Sequence, residues 1–304
     1  MDISFLNFNP SSQSGPNSFG TRLANEMQKK HHNVLLTQSK NNLIFIETQE
    51  ILPQESNNIL RLDGIWTRKD QIELHNKHIK KLYKECNAVI WQSEYDKRLT
   101  TSLWGEPNDG FVIYNGIEYN LVEVCQEIQN FRNNNEQIFI CSANWHRQKR
   151  LKEIIDFFYI NRSSKSKLII LGTNFDISIN DPDIIYMGHV SHNICLQLYR
   201  ISDWMIHLAW RDHCPNVVIE ALSQQCSVIC TNSGGTKELV KHNGIILDDK
   251  NNRNIDSLMF DYDLPPHLDI EKINLTKPAF DENIFPSIQK SYASYNQVFK
   301  KHFK

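Results

Sequence analysis

The 304-residue sequence has no stretch of 18 consecutive apolar residues, and its first residues, MDISFLNFNPSSQSG, lack both a basic segment and a long apolar segment. A membrane-spanning helix needs about 20 predominantly apolar residues. A secretory signal peptide needs a basic start followed by an apolar core. The sequence therefore predicts a cytoplasmic protein without a membrane-spanning helix.

The seven cysteines are odd in number and form no Cys-x-x-Cys pair, which favours free thiols in a reducing compartment. His213 and Cys214 could be grouped with Cys226 and Cys230, but their spacing fits no tetrahedral metal motif. We therefore predict no metal site and no resident cofactor.

Net charge is also small, at -2, which argues against a nucleic-acid partner with a large footprint. A Walker P-loop and a Gly-x-Gly-x-x-Gly fingerprint are both absent. The Asp-x-Asp pairs at 181–183 and 261–263 follow no buried strand, so we interpret them as solvated turns and not as a metal-dependent transferase site.

Short apolar runs alternate with amphipathic segments along most of the chain, the pattern of parallel sheets with helical crossovers. Strands are predicted at 3–8, 34–37, 43–47, 59–62, 88–91 and 111–114, and then at 137–141, 168–171, 184–187, 204–208, 227–231 and 244–247. Helices are predicted at 18–30, 70–86, 149–159, 193–201, 215–225 and 236–241. We expect an α/β fold with two doubly wound domains, 1–115 and 116–280, and ligands at the carboxyl ends of their strands.

A last helix is predicted over 284–303, and the segment 281–304 is expected to form a terminal element. Its apolar residues recur at helical spacing, which favours a helix docked on the protein. Peripheral membrane contact through the lysines at its end is the alternative left open.

The stretch RDHCPNVVIEAL, residues 211–222, places two carboxylates on either side of a Pro-led apolar run. Pro215 suits the first helical position, where its missing N–H is not needed. The N–H groups of Asn216, Val217 and Val218 would then be free to bind an anion. Asp212 lies in the preceding loop and Glu220 in the helix, so they would contact different parts of one ligand. The alternative is that Glu220 lies on a solvated helix face with Ser223 and Gln224.

The spacing of Asp212 and Glu220 resembles the acid-x7-Glu signature of retaining nucleotide-sugar glycosyltransferases of the GT-B fold, family 4. Four further segments resemble that family in the same order. They are VIYNGI at 112–117, CSANWHRQKRL at 141–151, GHV at 188–190 and TNSGGTKEL at 231–239. The resemblance covers roughly residues 110–250, and the N-terminal part is supported only by its pattern, by SFG at 18–20 before a helix and by RLDG at 61–64.

The resemblance implies two Rossmann-like domains facing each other across a cleft, with an abbreviated N-domain to which the last helix returns. It implies metal-independent transfer of a sugar, with retention, from a nucleoside diphosphate sugar to a glycan, glycolipid or other hydroxyl acceptor. No protein nucleophile is expected, and the leaving phosphate would take the acceptor proton. A non-catalytic nucleotide- or carbohydrate-binding relative is the main alternative, followed by a GT-B epimerase or phosphorylase.

Roles for individual residues follow from the same resemblance. Asp212 would hold donor-sugar hydroxyls, Glu220 the ribose, and Lys149 and Arg147 the diphosphate, and these four form the predicted catalytic set. Asp63 is a candidate acceptor-side residue. The remaining predicted donor-binding residues are Gly20, Asn144, His189, Val190, His213, Cys214, Pro215, Asn216 and Val217.

Three departures from the family pattern accompany the match. Asp212 is one methylene shorter than the usual Glu, and Asn144 stands where many members have an arginine that Arg147 could replace. The usual Gly and Pro are missing around Gln224 and Gln225, so the end of the helix must be formed differently.

Overall fold

The computed structural model describes residues 1–12, 14–45, 53, 55–66, 72–250 and 265–303. The predicted Asp-x-Asp pair at 261–263 and the lysine at position 304 lie outside these residues. Within them, no helix combines the length and the apolar character needed to cross a membrane.

The chain forms two compact units, and each contains one six-stranded parallel sheet with helical crossovers. The described residues of the first unit lie within 1–118 and 286–303, and those of the second are 119–250 and 265–285. The predicted α/β fold with two doubly wound sheets is confirmed.

The sheet of the first unit has the strand order β2-β1-β3-β4-β5-β6. Its strands are β1 (Asp2–Leu6), β2 (Asn33–Leu35), β3 (Asn41–Phe45), β4 (Asn57–Leu62), β5 (Ala88–Trp91) and β6 (Gly110–Val112). Its helices are α1 (Gly15–Lys29), α2 (Ile72–Glu85), α3 (Glu94–Trp104) and α9 (Ile288–His302). All six strands predicted for this part of the sequence are present.

Two helices of the first unit differ from the prediction. Helix α1 begins at Gly15, three residues early, because Pro16 is compatible with the first helical turn. Helix α3 was not predicted at all. It is capped by Ser93, whose side chain accepts from the backbone N–H of Asp96.

Helix α9 packs against α1 and contributes to the core of the first unit. Ile288, Tyr295 and Phe299 are buried in one cluster with Phe19 and Leu23 of α1. The apolar face of α9 is therefore occupied by the protein interior, as expected for a docked helix.

The sheet of the second unit has the order β12-β11-β10-β7-β8-β9, which is the Rossmann order with β7 as the first strand. Its strands are β7 (Gln137–Asn144), β8 (Ser166–Thr173), β9 (Ile184–Gly188), β10 (Trp204–His207), β11 (Ser227–Thr231) and β12 (Gly244–Leu247). Its helices are α4 (Gln126–Asn133), α5 (Leu151–Asn161), α6 (His192–Ile201), α7 (Asn216–Ser223) and α8 (Thr236–Val240), with 3-10 turns at Arg147–Lys149 and Glu282–Ile284.

The end of α7 is formed without the glycine that usually adopts a left-handed conformation there. Gln225 takes it instead, with φ 61°, and its side-chain amide donates to Tyr119 Oη at 2.6 Å. Gln224 accepts from the backbone N–H of Val122 at 3.0 Å. These contacts fix a conformation that would otherwise be strained for a residue with a Cβ.

Candidate functional site

The strand order of the second unit reverses between β7 and β10, which are neighbours in the sheet. Ligands of open parallel sheets bind beyond the carboxyl ends of the strands at such a reversal. The loop after β7 carries Lys149, and the loop after β10 carries Asp212. Two of the predicted catalytic residues therefore lie at the reversal point.

These two residues form an ion pair at the sheet edge. Lys149 Nζ lies 2.6 Å from Asp212 Oδ2, and the two side chains are 25% and 16% exposed. His207, the last residue of β10, is buried and places its Nε2 3.4 Å from the same carboxylate oxygen. One carboxylate is thus in contact with a lysine and an imidazole while it remains partly open to solvent.

The neighbours of Asp212 determine its protonation state. Burial alone would raise its pKa, but the charge of Lys149 and the contact with His207 outweigh burial and hold the pKa well below the ordinary value. Burial lowers the pKa of His207, and Lys149 adds to that effect against the opposing influence of Asp212. Asp212 is therefore an ionised hydrogen-bond acceptor at neutral pH.

The loop that carries Asp212 is fixed by backbone contacts on two sides. The Trp210 N–H donates to the Gln148 carbonyl at 2.8 Å, which joins this loop to the one that carries Lys149. The Gly235 N–H donates to the Asp212 carbonyl at 2.7 Å. Gly234 has φ 78°, and a Cβ there would lie 2.6 Å from that carbonyl oxygen. The close approach requires glycine.

Lys149 is positioned by the residue that follows it. Arg150 has a left-handed backbone, with φ 56°, and is buried. Its Nη1 lies 2.9 Å from Asp249 Oδ2, and its Nη2 donates to the Pro266 carbonyl at 2.8 Å. This buried pair ties the end of the 3-10 turn to the segments after β12 and around residue 266.

The start of α7 differs in detail from the prediction. Pro215 occupies the N-cap, so the first helical residue is Asn216. The Val218 N–H donates to the Pro215 carbonyl at 3.1 Å, and the prediction that this N–H is free was wrong. The bond spans three residues, which is the 3-10 type of bond often found in the first turn of a helix. Cys214 and Pro215 are buried, whereas Asn216 and Val217 are half-buried.

Glu220 is 9% exposed, so the alternative of a solvated helix face is wrong. Ser223 and Gln224, on the same face, are buried as well. Helix α7 packs between α6, α8, β10 and β11 and has no broad solvent face, so its polar positions are buried as well. Glu220 Oε1 lies 3.6 Å from His192 Nε2 at the start of α6.

The other predicted residues of this unit follow the carboxyl ends of its strands. Asn144 ends β7 and is exposed, and its Oδ1 accepts from Asn174 at 2.7 Å. Arg147 begins the 3-10 turn and is exposed. After β9, His189 is exposed and Val190 half-buried, and after β10, His213 is half-buried. The structure brings Lys149 and Asp212 into direct contact and places these residues along the same sheet edge.

Gly20 and Asp63 belong to the first unit. Gly20 lies inside α1, and a Cβ there would lie 2.6 Å from Phe8, so the missing side chain permits helix packing. Asp63 follows β4 and contacts Arg61, and its Oδ1 also accepts from Gln92 Nε2 at 3.1 Å. A ligand contact of either residue remains a prediction.

Across the described residues, no three His, Cys, Asp or Glu side chains lie close enough together to hold a metal ion. Asp181 and Asp183, predicted as solvated turn residues, are partly buried and contact Arg162 at 3.6 and 2.9 Å. Their carboxylates are therefore engaged by a cation of the protein itself.

His207 is the main residue that sequence reasoning missed. It was included in a predicted strand as one more buried position. The signal was available, because a histidine that ends an otherwise apolar strand lies at the edge where ligands bind. Gly234 was recognised as part of the GG segment, but its contact with the Asp212 backbone was not predicted.

The chain resembles known proteins both in sequence and in fold. Residues 126–259 match the sequence profile of the glycosyl transferases group 1 family. An uncharacterized glycosyltransferase of Methanocaldococcus jannaschii is 25% identical over 218 residues, which cover 64% of this chain and 55% of that protein. The match thus spans little more than half of the length of that relative.

Solved structures cover nearly the whole chain. Sucrose-phosphate synthase from Thermosynechococcus elongatus has a TM-score of 0.72 at 12% identity, with 99% of both chains covered. Anabaena HepE in complex with UDP-glucose has a TM-score of 0.62 at 15% identity, with 98% of this chain and 95% of that chain covered. The fold is GT-B. At these identities the GT-B likeness concerns the fold alone.

Proposed function

We propose that this GT-B chain is a glycosyltransferase that moves a sugar, with retention, from a nucleoside diphosphate sugar to a hydroxyl of a carbohydrate or lipid-linked acceptor. The observation that carries the proposal is the Lys149–Asp212 pair at the reversal point of the second sheet, inside the segment that matches the glycosyl transferases group 1 profile. A cation and an ionised carboxylate side by side suit a ligand that joins a phosphate to a polyol.

Lys149 and Arg147 would bind the diphosphate. Negative charge accumulates on this leaving group as the glycosidic bond breaks, so fixed cations stabilise the transition state more than the ground state. Lys149 is already positioned by the buried Arg150–Asp249 pair, and Arg147 is exposed one 3-10 turn earlier. Removing one such group typically lowers the rate by about 10²- to 10³-fold.

Asp212 would accept hydrogen bonds from hydroxyls of the donor sugar. Its low pKa supports this role, because only the ionised carboxylate is a pure acceptor. Glu220 would accept from the ribose hydroxyls of the nucleotide. Its burial supports this role, because a partly desolvated carboxylate discriminates between ligands that satisfy it and ligands that do not.

The transfer itself would need no protein nucleophile and no metal. The acceptor hydroxyl would attack the anomeric carbon on the face from which the diphosphate departs, and a leaving phosphate oxygen would take the hydroxyl proton. The protein would contribute positioning and charge stabilisation.

Thermal unfolding in the presence of UDP-, GDP- and ADP-sugars tests the donor class. A ligand at about 100 times its Kd stabilises the folded chain by about 2.7 kcal/mol. The stabilising donor is then incubated with the protein, and NMR follows its slow hydrolysis and the anomeric configuration of the first product. Glu220→Ala should abolish both responses, whereas Glu127→Ala, an exposed glutamate of α4 in the same unit, should leave them unchanged.

Two results would contradict the proposal. If none of the nucleotide sugars stabilises the protein, the proposed donor site is wrong. Tight nucleotide binding without hydrolysis or transfer to any acceptor identifies a non-catalytic binding protein instead.

A further inference from the structure

Two groups contact the same oxygen at the candidate site of the second unit. Lys149 Nζ lies 2.6 Å from Asp212 Oδ2, and His207 Nε2 lies 3.4 Å from the same atom. Both contacts that the structure gives for this carboxylate are therefore made to Oδ2. Oδ1 has no partner within the described residues and keeps surface that solvent can reach, since the side chain is 16% exposed. Oδ1 is the oxygen that a ligand hydroxyl can meet.

His207 is the member of this group whose polar atom is left without a hydrogen bond. Its side chain is 5% exposed, and Nε2 has no hydrogen-bond partner across the described part of the chain. A distance of 3.4 Å exceeds the usual range of about 2.7–3.2 Å for N–H···O bonds. Because a buried N–H without an acceptor costs free energy, a closer contact with Asp212 would stabilise the site.

The carboxylate determines which nitrogen of the neutral imidazole carries the proton. An unprotonated Nε2 would face Oδ2 as one acceptor against another, whereas a protonated Nε2 faces it as a donor. Burial lowers the pKa of His207, so the ring is neutral at pH 7. We therefore expect a neutral His207 with its proton on Nε2, directed at Asp212.

Lys149 is free to move and His207 is not. The lysine side chain is 25% exposed and carries its charge on a flexible four-carbon stem. His207 is the last residue of β10 and pairs in register with Cys230 of β11, so its position is fixed by the sheet. A diphosphate carries more negative charge than one carboxylate, and it would attract the lysine away from Asp212.

We propose that His207 is a positioning residue that takes over Asp212 Oδ2 when the diphosphate of the donor draws Lys149 away. The carboxylate then keeps Oδ1 toward the sugar, while the lysine stabilises the leaving group. This inference rests on the proposed function, which supplies the anion. The competing arrangement is that Lys149 divides its three N–H donors between phosphate and carboxylate, and His207 stays without a partner.

The first test is NMR of the histidine rings in the full chain, with the His207 signals assigned by their loss in His207→Gln. The ring ¹⁵N shifts should place the proton on Nε2. Lys149→Met removes the competing ammonium, and the Nε2–H proton should move downfield as its bond to Asp212 shortens. Lys152→Met, which removes an exposed lysine of α5, should leave this signal unchanged. Whichever of UDP, GDP and ADP stabilises the wild type should move it as Lys149→Met does.

Hydrolysis of the donor sugar measures the consequence for the reaction. His207→Met keeps a side chain of similar length but removes the donor, and it should lower kcat about 10- to 100-fold with little change in KM. His207→Gln can still donate from its side-chain amide and should recover most of the rate. Met205→Val, two residues earlier on the same side of β10, controls for a weakened strand and should keep the wild-type kcat.

The inference is overturned by a proton on Nδ1, or by an Nε2–H signal that either Lys149→Met or the bound nucleotide leaves in place. A wild-type kcat in His207→Met overturns it as well. If no nucleotide or nucleotide sugar stabilises the protein, the proposed function is wrong. The Lys149→Met spectrum then still shows whether His207 can hold Asp212 in the absence of the lysine.

Discussion

The Lys149–Asp212 pair allows a quantitative test of the site through a double-mutant cycle. The substitutions are Lys149→Met, Asp212→Asn and the two together, which remove the charges with little change in shape. Exposed ion pairs contribute about 0.2–1 kcal/mol, and breaking a fully buried pair costs about 3–5 kcal/mol. With side chains 25% and 16% exposed, this pair lies between these limits. We expect a coupling free energy of about 1.5–2.5 kcal/mol.

The assay is urea unfolding followed by circular dichroism at neutral pH. The Lys152–Asp156 pair on α5 is the matched control, because its atoms are equally close, at 2.5 Å, but its side chains are 68% and 38% exposed. Its coupling should not exceed about 0.5 kcal/mol. Equal coupling in the two pairs would show that Lys149 does not hold Asp212 in its charged form, and the electrostatic basis of the site would be wrong.

The same cycle has a pH dependence with a defined sign. The pKa of Asp212 is lower in the folded protein than in the unfolded chain. The contribution of its ionised carboxylate to folding stability is therefore fully present above the unfolded pKa of about 3.9 and is lost as pH falls through the folded pKa. The stability advantage of the wild type over Asp212→Asn should therefore be constant from neutral pH down to about pH 5 and shrink below about pH 4.

Three further substitutions have defined outcomes. Gly234→Ala adds left-handed backbone strain of about 1–2 kcal/mol and places a Cβ 2.6 Å from a backbone oxygen, so it should lower both the thermal midpoint and the activity. Gly188 is the control, because it is also left-handed but has nothing within 4 Å of an added Cβ. Gly188→Ala should lower the thermal midpoint by the strain contribution alone. Gly20→Ala gains about 1 kcal/mol of helix propensity but places a Cβ 2.6 Å from the Phe8 ring, so the urea midpoint should fall. Adding Phe8→Leu should restore the midpoint. An unchanged midpoint in Gly20→Ala would refute the claim that Gly20 is needed for α1 to pack against Phe8. The lowered pKa of His207 means that wild-type stability should fall relative to His207→Gln as pH drops below about 6.5, and parallel pH profiles would contradict this.

Sequence patterns predicted all twelve strands of the described residues because each is a short apolar run between polar segments. Helix α3 escaped because Asp96 and Thr100 occupy buried positions on its inner face, so the apolar stripe is interrupted. Helix α4 escaped for a different reason. It has eight residues, and Ile128 and Phe131 are its two large apolar residues, which are too few to establish a helical period in the sequence.

For the candidate site, the sequence identified Lys149, Asp212 and Glu220 but not how they are arranged. The contact between Lys149 and Asp212 joins residues 63 positions apart, and only the strand order brings β7 next to β10. The burial of Glu220 depends on neighbouring elements and not on the pattern of α7 itself. The local sequence determines which helices and strands form. The neighbouring elements determine how exposed each side chain is and whether it is charged.

Helix α9 follows the whole second unit in the chain, yet Tyr295 and Phe299 complete the core of the first unit. During synthesis, domains usually fold as they emerge, with the N-terminal one first. Here the ribosome delivers all residues of the second sheet before the helix that closes the first core. The second unit can therefore reach its native state earlier. Until α9 is synthesised, the core of the first unit is incomplete and exposes apolar surface that chaperones can bind.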